Sequence, residues 1–115
     1  MQNDKPNIIV EKTLEFAILI IEYAELLESK RKYVIANQLL KSGTSIGANV
    51  REAQNAESKT DFIHKMKIAA KEAEETEYWL LLCQLSKSYP DCQDLQNTIA
   101  DILKILSKII SSSKK

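Results

Sequence analysis

Apolar residues recur along the chain at three- and four-residue steps, the period of an amphipathic helix, in four separate stretches. The first runs from about residue 8 to 28. There Leu14, Ala17, Ile18, Ile21, Ala24 and Leu27 form a stripe, and Phe16, Leu19, Ile20, Tyr23 and Leu26 widen it well beyond one face. The second, about 33–56, carries Ala36, Leu39, Leu40, Gly43, Ile46, Gly47, Val50 and Ala53 at near-heptad spacing. The third, about 60–87, places Phe62, Met66, Ala69, Ala70, Ala73, Thr76 and Leu80 on one seam. The fourth, about 92–111, has the clean seam Leu95, Ile99, Ile102, Leu106 and Ile109.

The breaks between these stretches are short and polar. Ser29 to Lys32 is the first, and Glu57 to Lys59 is the second, where Ser58 and Asp61 resemble a capping box with Asp in place of Glu. Tyr89-Pro90-Asp91 is the third, with Asp91 as the expected N-cap, and Ser111 to Lys115 reads as a frayed tail. Four helices with connections this short predict a single all-α domain, an antiparallel up-down-up-down four-helix bundle. Two glycines and two prolines in 115 residues agree, because a loop-rich or sandwich fold needs more turn residues.

The two glycines lie inside the second stripe. Each costs a helix interior about 1 kcal/mol against alanine. Their four-residue spacing puts Gly43 and Gly47 on one face, where a neighbouring backbone can approach closely. A break at Ser42-Gly43-Thr44-Ser45, with Thr44 or Ser45 as a new N-cap, is the alternative to a continuous helix. The first stretch points further. A helix apolar over so much of its circumference needs a second partner surface, and a monomer is expected to expose Phe16, Leu19, Ile20 or Tyr23. Self-association, or association with some partner, follows.

The formal charge is zero but unevenly spread. Residues 1–30 carry three basic and six acidic side chains, and residues 31–60 carry five and two. Two readings fit. Oppositely charged neighbouring helices attract within the bundle, or Arg31, Lys32, Lys41 and Arg51 form a phosphate-tracking face for RNA or DNA. No aromatic alternates with those cations, so base stacking is not encoded.

Candidate chemistry is sparse. Carboxylate-bridged metal bundles need two Glu-x-x-His pairs, and this chain has one histidine, in Asp61-x-x-His64 at a helix start. Cys83 follows three leucines and reads as a packed core thiol; Cys92 stands nine residues on, with no Cys-x-x-Cys pattern. No phosphate loop or dinucleotide fingerprint occurs. No catalytic residue, metal ligand or cofactor site is therefore assigned, and the chain is expected not to be an enzyme. Asn49, Glu52, Glu72 and Glu75 border the seams of the second and third helices. They are either solvated face residues or a structural polar network that sets register. The polar start, the lack of a signal peptide pattern and a strongest apolar run of six residues, Phe16 to Ile21, predict a cytoplasmic protein with no membrane segment.

The motifs SGTSIGAN at 42–49, EAQNAES at 52–58, DFIHK at 61–65, IAAKEAEETEYWL at 68–80 and QLL at 38–40 resemble those of a bacterial family called four helix bundle proteins. Many of its members are encoded by intervening sequences within large-subunit ribosomal RNA genes and are labelled ribosomal-protein-like. The resemblance covers about Ile8 to Ile110. It implies an antiparallel four-helix bundle that assembles as a homopentamer, related to the accessory protein of diversity-generating retroelements, which engages a reverse transcriptase and nucleic acid. Lys41 stands where the family commonly has arginine, and the neutral charge departs from that more basic relative. The leading expectation is a non-enzymatic oligomeric scaffold that recognises a protein or nucleoprotein partner. A direct RNA or DNA binder using the second helix is the alternative.

Overall fold

A computed structural model describes residues 7–114. Four α-helices follow in order: α1 (Ile8–Ser29), α2 (Tyr33–Ala53), α3 (Lys59–Leu85) and α4 (Gln93–Ser113). Each packs on its neighbours in sequence, and α4 closes on α1. The backbones of diagonally opposite helices do not approach one another among the described residues, so the section is a square, 21 Å on a side and 45 Å long. The predicted up-down-up-down bundle is the observed fold, without strands among the described residues. The polar start at residues 1–6 lies outside them.

Local chemistry sets the ends. Asn7 caps α1 by accepting from the Val10 N–H, and Glu11 in the first turn meets the positive end of the helix dipole. At the far end Lys32 N–H bonds Leu27 C=O and Arg31 N–H bonds Glu28 C=O, the paired bonds of a Schellman stop. The residue that stop requires in the left-handed region is Arg31, at φ 64°. Ser58 caps α3 by accepting from Asp61 N–H at 3.0 Å, and Asp61 returns a bond to Glu57 N–H at 3.2 Å, one residue upstream of the usual reciprocal donor.

Three boundaries differ from expectation. The segment from Gln54 to Ala56 winds on through i→i+3 bonds, tighter than α-helix, so α2 proper stops at Ala53. Asp91 is not the cap of α4. The Gln84 side chain donates to Asp91 Oδ1 and accepts from Cys92 N–H, both at 2.7 Å, which leaves Cys92 at the capping position. The tail expected to fray at Ser111 stays helical to Ser113, whose hydroxyl donates to the Ile109 carbonyl.

The core takes one sector from each helix. α3 and α4 contribute the residues their seams predicted, chiefly Met66, Ala69, Ala73, Leu80, Ile99, Ile102 and Leu106. α1 does not. Its buried sector is Ile9, Thr13, Phe16, Ile20, Tyr23, Ala24 and Leu27, whereas Leu14, Ile18, Leu19 and Ile21 face outward. Of the four side chains expected at the surface, Phe16, Ile20 and Tyr23 are therefore inside, and Leu19 is exposed. A helix in a square bundle can bury only about one-third of its circumference, and α1 has more apolar residues than that sector holds.

The sector that wins is the one that meets the glycines. α2 runs unbroken through Gly43 and Gly47. A Cβ built on Gly43 would lie 2.8 Å from Ile20 Cγ2, and one on Gly47 would lie 3.4 Å from the Thr13 carbonyl oxygen. Thr13 hides its hydroxyl by donating to Ile9 C=O at 2.7 Å, so a polar residue sits in the interface without an unmet bond.

The two glycines should behave oppositely. Ile20 is β-branched and its Cβ is itself 3.3 Å from the added atom, so Gly43→Ala cannot be relieved by one rotamer change. It should lose about 1–3 kcal/mol. Gly47→Ala meets only ordinary contact and should gain up to about 1 kcal/mol of helix propensity. Chemical denaturation of the two variants beside the parent measures both.

Candidate interaction surface

Arg31 and Lys32 lie in the α1–α2 corner, at the same end of the bundle as the α3–α4 loop. Lys32 is engaged there: its Nζ donates to Ser88 Oγ at 3.0 Å and sits 5.0 Å above the Tyr89 ring. Arg31 is held by its backbone in the Schellman stop. Lys41 is exposed midway along α2, and Arg51 is exposed at the other end, roughly 15 Å further along the axis. The four candidate cations thus share a helix and its leading corner but do not form one patch.

The four seam-border residues do not form one network either. Asn49 donates to the Ser45 carbonyl of its own helix at 2.9 Å. Glu52 pairs across to Lys65 of α3 at 3.8 Å, and Lys65 also reaches Asp61. Glu75 accepts from the Trp79 indole N–H at 3.1 Å. Glu72 is half-buried. Desolvation lifts its carboxyl above the usual carboxylate range, repulsion from Glu75 adds to this, and Lys71 and Lys41 pull it back. Between α2 and α3 the buried polar contact is a different pair, Ser42 and Thr76, whose hydroxyl oxygens stand 2.9 Å apart. Thr76 Oγ1 is also 2.7 Å from the Glu72 carbonyl. Thr76 lies on the apolar seam of the third helix in sequence, where spacing alone reads it as packing.

The other chemistry-bearing residues are used structurally. His64 is exposed, and Asp61 beside it is spent on the α3 cap and on Lys65. Cys83 and Cys92 are buried free thiols. Burial pushes Cys83 up to about 11, with repulsion from the nearby Cys92 adding and a Tyr23 hydrogen bond opposing. Tyr23 donates from its hydroxyl to the Pro90 carbonyl at 2.6 Å and so ties α1 to the last loop. No group of three or more His, Cys, Asp or Glu side chains among the described residues could hold a metal ion. None of the described helices is long and apolar enough to cross a membrane.

What the surface does offer is an apolar face over α1 and α2. Leu14, Ile18 and Ile21 recur at i, i+4 and i+7, exposed by 50%, 50% and 41%. Leu40 of α2 adjoins them at 37%. A notch of about 130 Å³ opens between the two helices, lined by Val10, Thr13, Leu14, Ala17, Thr44, Gly47, Ala48 and Arg51. Gly47 lines this hollow, and its missing side chain leaves space against the Thr13 backbone. The opposite side, between α3 and α4, carries an open groove of about 590 Å³ with Glu74, Glu77 and Lys114 on its rim.

An all-helical bundle with a bare apolar face on α1 and α2 defines a class of small helical proteins. The chain belongs to the 23S rRNA-intervening sequence protein family, whose pattern it matches over residues 5–110. It is also similar to a crystal structure of a protein of unknown function from the S23 ribosomal protein family of Bacteroides thetaiotaomicron. The two share 44% identity over 89% of this chain and 97% of that one, with a TM-score of 0.85. No curated protein matches the chain. The family is one of unknown function linked to intervening sequences of ribosomal RNA genes.

Two substitutions test this account. Arg31→Gly removes a Cβ from the left-handed region and should raise stability by about 0.5–1 kcal/mol in denaturant titrations, which a residue placed only for external contact would not do. Glu72→Gln tests the raised carboxyl. A folded pKa raised above the ordinary carboxylate value means that stability is lost as pH rises through the folded pKa. The variant should therefore melt above the parent at pH 7, and the gap should close below about pH 4, where both states hold the proton.

Proposed function

We propose that this chain acts without catalysis, as a self-associating cytoplasmic scaffold whose assembled surface recognises a protein or nucleoprotein partner. The face of Leu14, Ile18 and Ile21 carries the reading. These are large aliphatic side chains, contiguous and continued by Leu40 and a hollow, on a chain whose core is already filled without them. Contiguous apolar surface of this kind marks an association site. A homopentamer is the closed form implied by the family resemblance, and it would build a surface far larger than one bundle 21 Å across provides.

Direct binding of RNA or DNA is the weaker reading. Lys32 is committed to the last loop, and Lys41 and Arg51 stand apart. A phosphate-tracking protein gathers its cations along one path.

Light scattering on dilute protein tests the leading reading. The expected mass is a stable multiple of 13.1 kDa at micromolar concentration, with five copies as the form implied by the family. A particle of 13.1 kDa rejects self-association. A shift assay with structured RNA tests the alternative, which requires binding that weakens steeply with salt and with charge reversal at Lys41 and Arg51.

A further inference from the structure

We propose that the outward face of α1 in one copy packs antiparallel against the outward face of α2 in the next, in a repeating head-to-tail contact. The inference rests on the self-association reading and names the two surfaces that meet.

The first observation is charge left without a partner. α1 carries Glu11, Glu15, Glu22, Glu25 and Glu28 against a single Lys12. Lys12 pairs with Asp101 of α4. The ion pairs among the described residues join α1 to α4, α2 to α3, and Lys65 to Asp61 within α3. None joins α1 to α2, although these adjacent helices hold the acidic and basic excesses. Attraction between α1 and α2 is thus not expressed as ion pairs, although Lys41 acts on the Glu72 carboxylate of α3 within the bundle.

The second observation is a match of levels. The approaches of Ile20 to Gly43 and of Thr13 to Gly47 fix how α1 and α2 stand beside each other. On that scale Arg51 is level with Glu11, Ala48 with Leu14, Thr44 with Ile18, and Lys41 with Glu22. Lys41, Thr44, Ala48 and Arg51 recur at i, i+3, i+7 and i+10 and share one face of α2. Along it the order is cation, small, small, cation. Along α1 the order at the same heights is carboxylate, large aliphatic, large aliphatic, carboxylate. A rotation about an axis parallel to the bundle preserves height, so it would bring each member of one series onto its complement in the other.

The third observation is directional. The two faces are different surfaces of one copy, so a contact between them is head-to-tail and not two-fold. A head-to-tail contact of this kind turns each copy by a constant angle, and about an axis parallel to the bundle it forms a ring when that angle divides the full circle. Pairing α1 with another α1 would instead set carboxylates against carboxylates, which disfavours a two-fold contact through that face.

Charge exchange distinguishes this contact from self-association in general. The full-length parent, Glu11→Lys with Glu22→Lys, Lys41→Glu with Arg51→Glu, and the chain carrying all four changes are compared by light scattering over a dilution series at low salt. Circular dichroism melts confirm that each is folded. Each two-site variant should dissociate at protein concentrations at least about tenfold above the parent, and the four-site chain should return to within about threefold. Ile18→Glu, at the apolar centre, should dissociate the particle at high salt as well. A parent of 13.1 kDa overturns self-association itself, and this contact with it. A larger parent whose folded two-site variants keep its mass, or whose folded four-site chain stays dissociated, overturns this contact and leaves self-association standing.

Discussion

The contact on which the rest of the structure depends is the approach of α1 to α2 at Gly43. A side chain there would enter the space held by Ile20, at a distance no Cβ tolerates. Without it, Ile20 lies against bare helix and the two axes come close enough to bury Phe16, Thr13 and Ala24 along the same line. Two consequences follow. α1 has one rotational setting, chosen by the fit of Ile20 rather than by which of its sides is most apolar. The remaining aliphatics, Leu14, Ile18 and Ile21, are then forced outward. The interior contact and the exposed face are two sides of one rotation.

That rotation explains where the sequence was readable. α3 and α4 each have one dominant stripe, and their buried residues could be named from spacing alone. α1 has two overlapping apolar stripes, Ile9-Thr13-Phe16-Ile20 and Leu14-Ile18-Ile21, and the buried one contains a threonine. Periodicity favours the wrong stripe, because what decides is a hole on another helix. The inference of surplus apolar surface was nevertheless sound, since it counted residues rather than assigning them to sides.

The polar residues were less legible for a related reason. Asn49, Glu52, Glu72 and Glu75 were singled out as polar groups beside seams, yet each finds a partner or solvent separately. The interior polar contact is Ser42 with Thr76, two small hydroxyls whose burial needs only one another and a helix carbonyl. Small hydroxyls bond back to their own helix and so pass as apolar in a seam. Capping, by contrast, depends on a few adjacent residues. Ser58 with Asp61 was recognisable directly, while the Gln84 clamp that displaced Asp91 spans the loop and was not.

The candidate cations show how location overrides composition. A basic excess in residues 31–60 is compatible with a nucleic-acid face only while its members are uncommitted. Arg31 stops a helix, and Lys32 pins the opposite loop against that stop, so half of the set works to hold one end of the bundle closed. Lys41 and Arg51 keep solvent-facing charge, at the levels of glutamates on α1. A side chain buried against a neighbouring copy is not available to a phosphate. Self-association through α2 and phosphate tracking along α2 therefore compete for the same two residues, and a nucleic-acid surface on the assembled protein would have to be built from cations elsewhere, such as the exposed Lys67 and Lys71 of α3.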